Sequence, residues 1–147
     1  MDKKTVSRLH RYVIESIFAL DVSKLRLVRC HEMAYLTSSG LGRLGFGSKV
    51  VDGFYEDSYN CCRHSWVELL DQFKFGRCFL DFHPIKNLSK GWVAECHSEV
   101  VRFWGAWRYY PDDSADYQLL SGVDDFAKEV FKDYDASLVP AILEGNR

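Results

Sequence analysis

No run of about 18 consecutive apolar residues occurs in this chain, so it offers no candidate for a membrane-spanning helix. Proline is scarce, with 3 in 147 residues, and no Pro-rich linker, repeat or low-complexity segment interrupts the sequence. Charge of one sign is missing as well. The 19 basic and 21 acidic residues leave a formal net charge of −2, and no long basic stretch stands out. The electrostatic footprint expected of a nucleic-acid binder is therefore lacking. Any signal-peptide core after Met1-Asp2-Lys3-Lys4 would be broken by Arg8, Arg11 and Glu15. The 5 cysteines are odd in number, and Cys61 and Cys62 are adjacent, a poor start for a disulfide framework. Reduced thiols in a cytoplasmic setting are expected instead.

What is present suits a globular core. Hydrophobic residues make up 47% and aromatics 15% of the chain, enough for a dense core or a lined groove. A length of 147 residues fits one domain over 1–147, burying roughly 70% of its unfolded surface. Val6, Leu9, Val13, Ile14 and Ile17 recur at helical spacing and predict an amphipathic helix over 5–20. A second helix is expected from Cys30 towards Leu41, with Glu32 in its first turn and Gly40, Gly42, Gly45 and Gly47 favouring its end. Strand character follows over 48–55, 64–70 and 73–82, then less distinctly over 92–94 and 100–110. A loop is expected at 112–116, a helix over 123–134, and fraying from Glu144. Helices followed by a run of strands predict an α+β fold, helices packed on an antiparallel sheet.

Within that order three residues suggest chemistry. A cysteine at a helix N-terminus, beside an imidazole, is a thiol whose pKa can be lowered until the thiolate acts as nucleophile. Cys30 opens the second helix, His64 opens a strand, and Asp81 lies near the end of the next strand. With Asp71-Gln72 as the hairpin loop, counting outward pairs Trp66 with Arg77 and His64 with Phe79. Asp81 then becomes a diagonal neighbour of His64, within reach of its ring.

These pieces resemble the transglutaminase-like group of papain-related enzymes. Cys30-His31-Glu32-Met33-Ala34 is similar to that family's nucleophile helix, and the stretch from Leu41 to Tyr55 to its helix end and first strand. His64-Ser65-Trp66-Val67-Glu68-Leu69 resembles its His-Ala-Trp-Val-Glu-Val strand, and Leu80-Asp81-Phe82-His83-Pro84 its Asp-Pro strand end. Gly47-Ser48 stands where the family has Pro-Ala, Lys49 where it has Arg, and Phe82-His83 separate Asp81 from Pro84. The resemblance implies a papain-like core and a thioester mechanism with catalytic Cys30, His64 and Asp81. It implies no cofactor or metal, and a carboxamide, protein or peptide substrate, as in an amidase, deamidase, peptidase or transglutaminase-type transferase. The alternative is a catalytically silent member of the same fold that binds a protein partner.

Blander readings stand beside this one. Cys30 as a small buried hydrophobe, His64 as a satisfied strand histidine and Asp81 as a turn residue each account for one residue alone. Cys61, Cys62, His64, Cys78, His83, Cys96 and His97 are zinc-ligating types without paired Cys-x-x-Cys spacing. Phe103, Trp104, Trp107, Tyr109 and Tyr110 form a core cluster or a groove wall. Trp66 is expected in the core or a groove wall, and Glu68 as a solvated or hydrogen-bonded strand residue. His31 is expected to point away to solvent, because adjacent helix positions do not face each other.

Overall fold

A computed structural model describes residues 2–20, 29–56, 61–71, 77–81, 93–97, 102–103, 107–114 and 117–144. Helix α1 (Lys3–Ala19) is capped by Asp2, whose carboxylate accepts the Thr5 N–H at 2.8 Å. Its stripe of Val6, Leu9, Val13, Ile14 and Ile17 is at most 1% exposed, as the periodicity predicts. Helix α2 (Cys30–Arg43) buries Met33, Ala34, Leu36 and Leu41. It runs straight through Gly40 and Gly42, although glycine weakens a helix interior. Gly45 ends it, at φ 97°. There the Phe46 N–H returns to the Leu41 carbonyl and the Gly45 N–H to Gly42, the two bonds of a left-handed C-terminal cap.

Among the described residues six strands follow: β1 (Ser48–Glu56), β2 (Cys61–Leu69), β3 (Arg77–Asp81), β4 (Val93–His97), β5 (Arg102–Phe103) and β6 (Trp107–Pro111). They form one sheet in the order β4-β3-β2-β1-β6-β5, every neighbouring pair antiparallel. Gly53 allows β6 to approach β1, since a Cβ there would lie 2.1 Å from the Tyr110 carbonyl oxygen. Helix α3 (Val123–Val130) begins with Asp124 and Asp125 in its first turn, where negative charge suits the helix dipole. It ends four residues short of Tyr134. A 3-10 turn at Ala136–Leu138 then leads into α4 (Val139–Glu144), a short helix where the sequence predicted none.

The architecture is α+β, with helices on an antiparallel sheet. Helix α2 packs on β1 and β2, and α1 packs on α2 and reaches β4. One core joins α1 and α2 to Val67, Leu69, Cys78 and Leu80 of the sheet and to Phe126 and Phe131 of the C-terminal segment.

The β2–β3 register differs from the counted one. Val67 pairs with Leu80 and Glu68 with Phe79, a slip of four residues, because the connection is longer than Asp71-Gln72. An even slip preserves the alternation of faces. Asp81 falls opposite Trp66 by extension, still one diagonal step from His64 but on the other side.

Candidate functional site

The start of α2 lies over the middle of the sheet, and its first turn is held by a buried carboxylate. Glu32, 0% exposed, accepts from Arg29 Nε at 2.8 Å and Nη2 at 2.7 Å, and from the Leu120 N–H at 3.0 Å. Burial pushes the Glu32 pKa up, but the hydrogen bonds from Arg29 and Leu120 outweigh it and hold the group below its ordinary value. Arg29 also donates to the Gln118 carbonyl at 2.8 Å. The segment around 118–120 is thereby tied to the helix start. Met33 is the first residue of α2 whose N–H bonds back along the chain, to Arg29 O at 2.9 Å. The N–H groups of Cys30, His31 and Glu32 precede it, as the first turn of any helix requires.

Cys30 is half-buried at this end. Its Sγ lies 4.0 Å from the Arg63 carbonyl, so the thiol rests against the β2 backbone next to His64. His64 is 1% exposed, and its Nε2 pairs with Asp81 Oδ2 at 2.7 Å. Burial disfavours the imidazolium, but the Asp81 charge and hydrogen bond, with a smaller contribution from the Cys30 thiol, raise the His64 pKa to about 10. The structure thus pairs His64 of β2 with Asp81 of β3 and sets the Cys30 thiol of α2 against the carbonyl of Arg63, the residue before His64.

Two further histidines meet this group. His31 is half-buried, not turned to solvent as its neighbour position suggested. Its Nδ1 lies 3.8 Å from Cys30 Sγ and 2.6 Å from Ser65 Oγ, and Ser65 donates to Asp52 Oδ1 at 2.5 Å. The Tyr117 ring packs on the imidazole at 4.3 Å, with its hydroxyl donating to Gly53 O at 2.6 Å. Burial first, then the Arg29 charge, hold the His31 pKa below 6.5 against the pull of Glu32 and Asp52. In the first turn, side chains tilt back past the helix N-terminus, so two adjacent residues can both reach the sheet below. That tilt is the signal the spacing rule lacked.

His10 of α1 is 1% exposed, and its Nδ1 has no hydrogen-bond partner among the described residues. Burial lowers its pKa to about 4 against the Asp81 charge. Its place four residues after Val6 and three before Val13 already sets it on the apolar stripe. A cavity of about 10 Å³, room for about one water, is lined by His10, Cys30, Thr37, Ser65, Trp66 and Asp81 among others.

Trp66 is 1% exposed, inside the core side of its expected range. Glu68 is buried with its Oε1 3.8 Å from Lys49 Nζ. Among the described residues no group of three or more His, Cys, Asp or Glu side chains could hold a metal ion. His83 and Trp104 of the rival clusters, and Pro84 of the resembling segment, lie outside the described residues. No helix among the described residues is long and apolar enough to cross a membrane. Comparison with protein-family models, with curated proteins and with solved structures found no match to this chain.

Proposed function

We propose that the chain is a cysteine-dependent acyl-transfer enzyme of the transglutaminase-like kind, acting on a carboxamide or peptide substrate through a thioester. The observation that carries this reading is the buried 2.7 Å bond from His64 to Asp81 beside a half-buried thiol at a helix N-terminus. His64 holds the proton of the thiol, and the Cys30 sulfur attacks the acyl carbonyl. Asp81 orients the imidazolium and balances its charge. The backbone N–H of Cys30, at the start of α2, contributes to an oxyanion site for the carbonyl oxygen as it gains negative charge. As the tetrahedral intermediate collapses, His64 gives its proton to the leaving amine and the thioester remains on Cys30. Water or an amine then resolves it, giving hydrolysis or transfer. Unbridged Cys30, Cys61, Cys62 and Cys78 support a reducing, cytoplasmic setting.

The test is intact-mass analysis with an electrophilic mimic of a peptide carboxamide. One adduct per chain, lost in Cys30→Ala, is the expected result. Labelling confined to Cys61 or Cys62 removes the reading, and an unlabelled Cys30 leaves a silent fold that binds a partner instead.

A further inference from the structure

Resting on the acyl-transfer reading, we propose that His31 is the base that activates the acyl acceptor, serving the second half of the reaction as His64 serves the first. Hydrogen-bond accounting assigns its tautomer. The Asp52 carboxylate only accepts, so the single Ser65 hydroxyl proton goes to it at 2.5 Å. Ser65 Oγ is then an acceptor towards His31 at 2.6 Å, and the donor is His31 Nδ1–H. In a neutral imidazole this leaves the lone pair on Nε2. No described residue is hydrogen-bonded to that nitrogen. Nδ1 is 3.8 Å from Cys30 Sγ, so Nε2 lies no more than a ring's width farther from the sulfur.

Position separates the two histidines. His64 is 1% exposed, whereas His31 is half-buried and meets the solvent from which an acceptor arrives. Their surroundings differ in the same sense. Asp81 and Cys30 favour the proton on His64. Around His31, burial and the charges of Arg29 and His64 disfavour a proton, against Glu32 and Asp52, while Tyr117 packs on the ring. Two titratable groups pushed apart by their environments divide acid and base roles between them.

After the leaving amine departs, His64 takes a proton from solvent. An acceptor X–H, water or a primary amine, attacks the thioester carbonyl carbon, forming the C–X bond as its proton passes to His31 Nε2. The C–S bond breaks, and the electron pair stays on the Cys30 sulfur beside protonated His64. His31 then releases its proton to solvent, and Asp52 acts on it through Ser65 as an orienting carboxylate.

The test follows p-nitrophenyl acetate through burst and steady-state phases in the full chain. In His31→Gln the burst persists, its amplitude reporting folded enzyme. Deacylation slows about a hundredfold more than acylation, within the range for loss of a general base. Free imidazole restores it, and His31→Asn behaves alike should the Gln variant not fold. Wild-type deacylation rises with pH through an ionisation below 6.5, and this feature disappears in the variants. Equal slowing of both phases, or no response to imidazole, overturns the role of His31. A wild-type chain that forms no acetyl adduct on Cys30 instead refutes the acyl-transfer reading, and the role of His31 with it.

Discussion

Exchanging Asp81 for Asn keeps a side chain of the same shape at the 2.7 Å contact with His64 and removes its charge. The imidazolium loses its main support and its orientation, so Cys30 acylation at neutral pH is expected to fall by about 10²–10⁴-fold, as measured by kcat/KM. The His64 pKa is raised, so its stabilising contribution is fully present below 6.5 and is lost as pH rises through about 10. His10 has the opposite sign. Its pKa is lowered to about 4, so between 6.5 and 4 the unfolded chain binds the proton that the folded chain refuses, and stability falls as pH falls through that window. His10→Phe should flatten this part of the stability profile, read by urea unfolding at pH 4.5 and 7. An unchanged slope would show that His10 is not the group responsible. At this scale His64 stands three residues inside β2 and does not open it, but the places of Cys30 at a helix start and Asp81 at a strand end were legible. His31 was not, because a rule for mid-helix neighbours does not hold where side chains overhang the helix end.

Helix α2 shows what element-level patterning can and cannot carry. Its start at Cys30 was legible, but Gly40 within it was misread, because its reason is tertiary; Gly42 meets open space. A Cβ on Gly40 would lie 2.8 Å from Phe131 Cε1 and 3.0 Å from Val13 Cγ1. Gly40→Ala should therefore destabilise by about 1–3 kcal/mol despite its better helix propensity, measured by the urea midpoint at constant slope. A stabilised variant would mean that the α1–α2–Phe131 contact yields freely. The β2–β3 hairpin failed and succeeded together. The loop was drawn too short, yet the period of two kept Asp81 on the face predicted for it, since the slip was even. Helix α4 escaped notice because 6 residues carry too little periodicity to register.

Across the whole molecule, Glu32 links the start of α2 to the segment 118–120, which arrives 88 residues later in the chain. Sequence shows Glu32 only as a first-turn acid; nothing local announces Leu120 or Gln118 as its distant companions. Glu32→Gln weakens the Arg29 pairing and the Leu120 contact, with an expected loss of about 1–3 kcal/mol and faster hydrogen exchange at the Leu120 amide. Because the Glu32 pKa is lowered, this stabilisation is present above 4.5 and disappears as pH falls through the lower folded value, so the variant and wild type should converge in acid.

The most direct test of the account is the alkylation rate of Cys30 by iodoacetamide at pH 6, with exposed Cys61 of the same chain as internal standard. A thiol activated by His64 and Asp81 should react at least about tenfold faster than Cys61, and His64→Ala should erase the difference. A Cys30 that reacts no faster than Cys61, or that ignores the loss of His64, would contradict it.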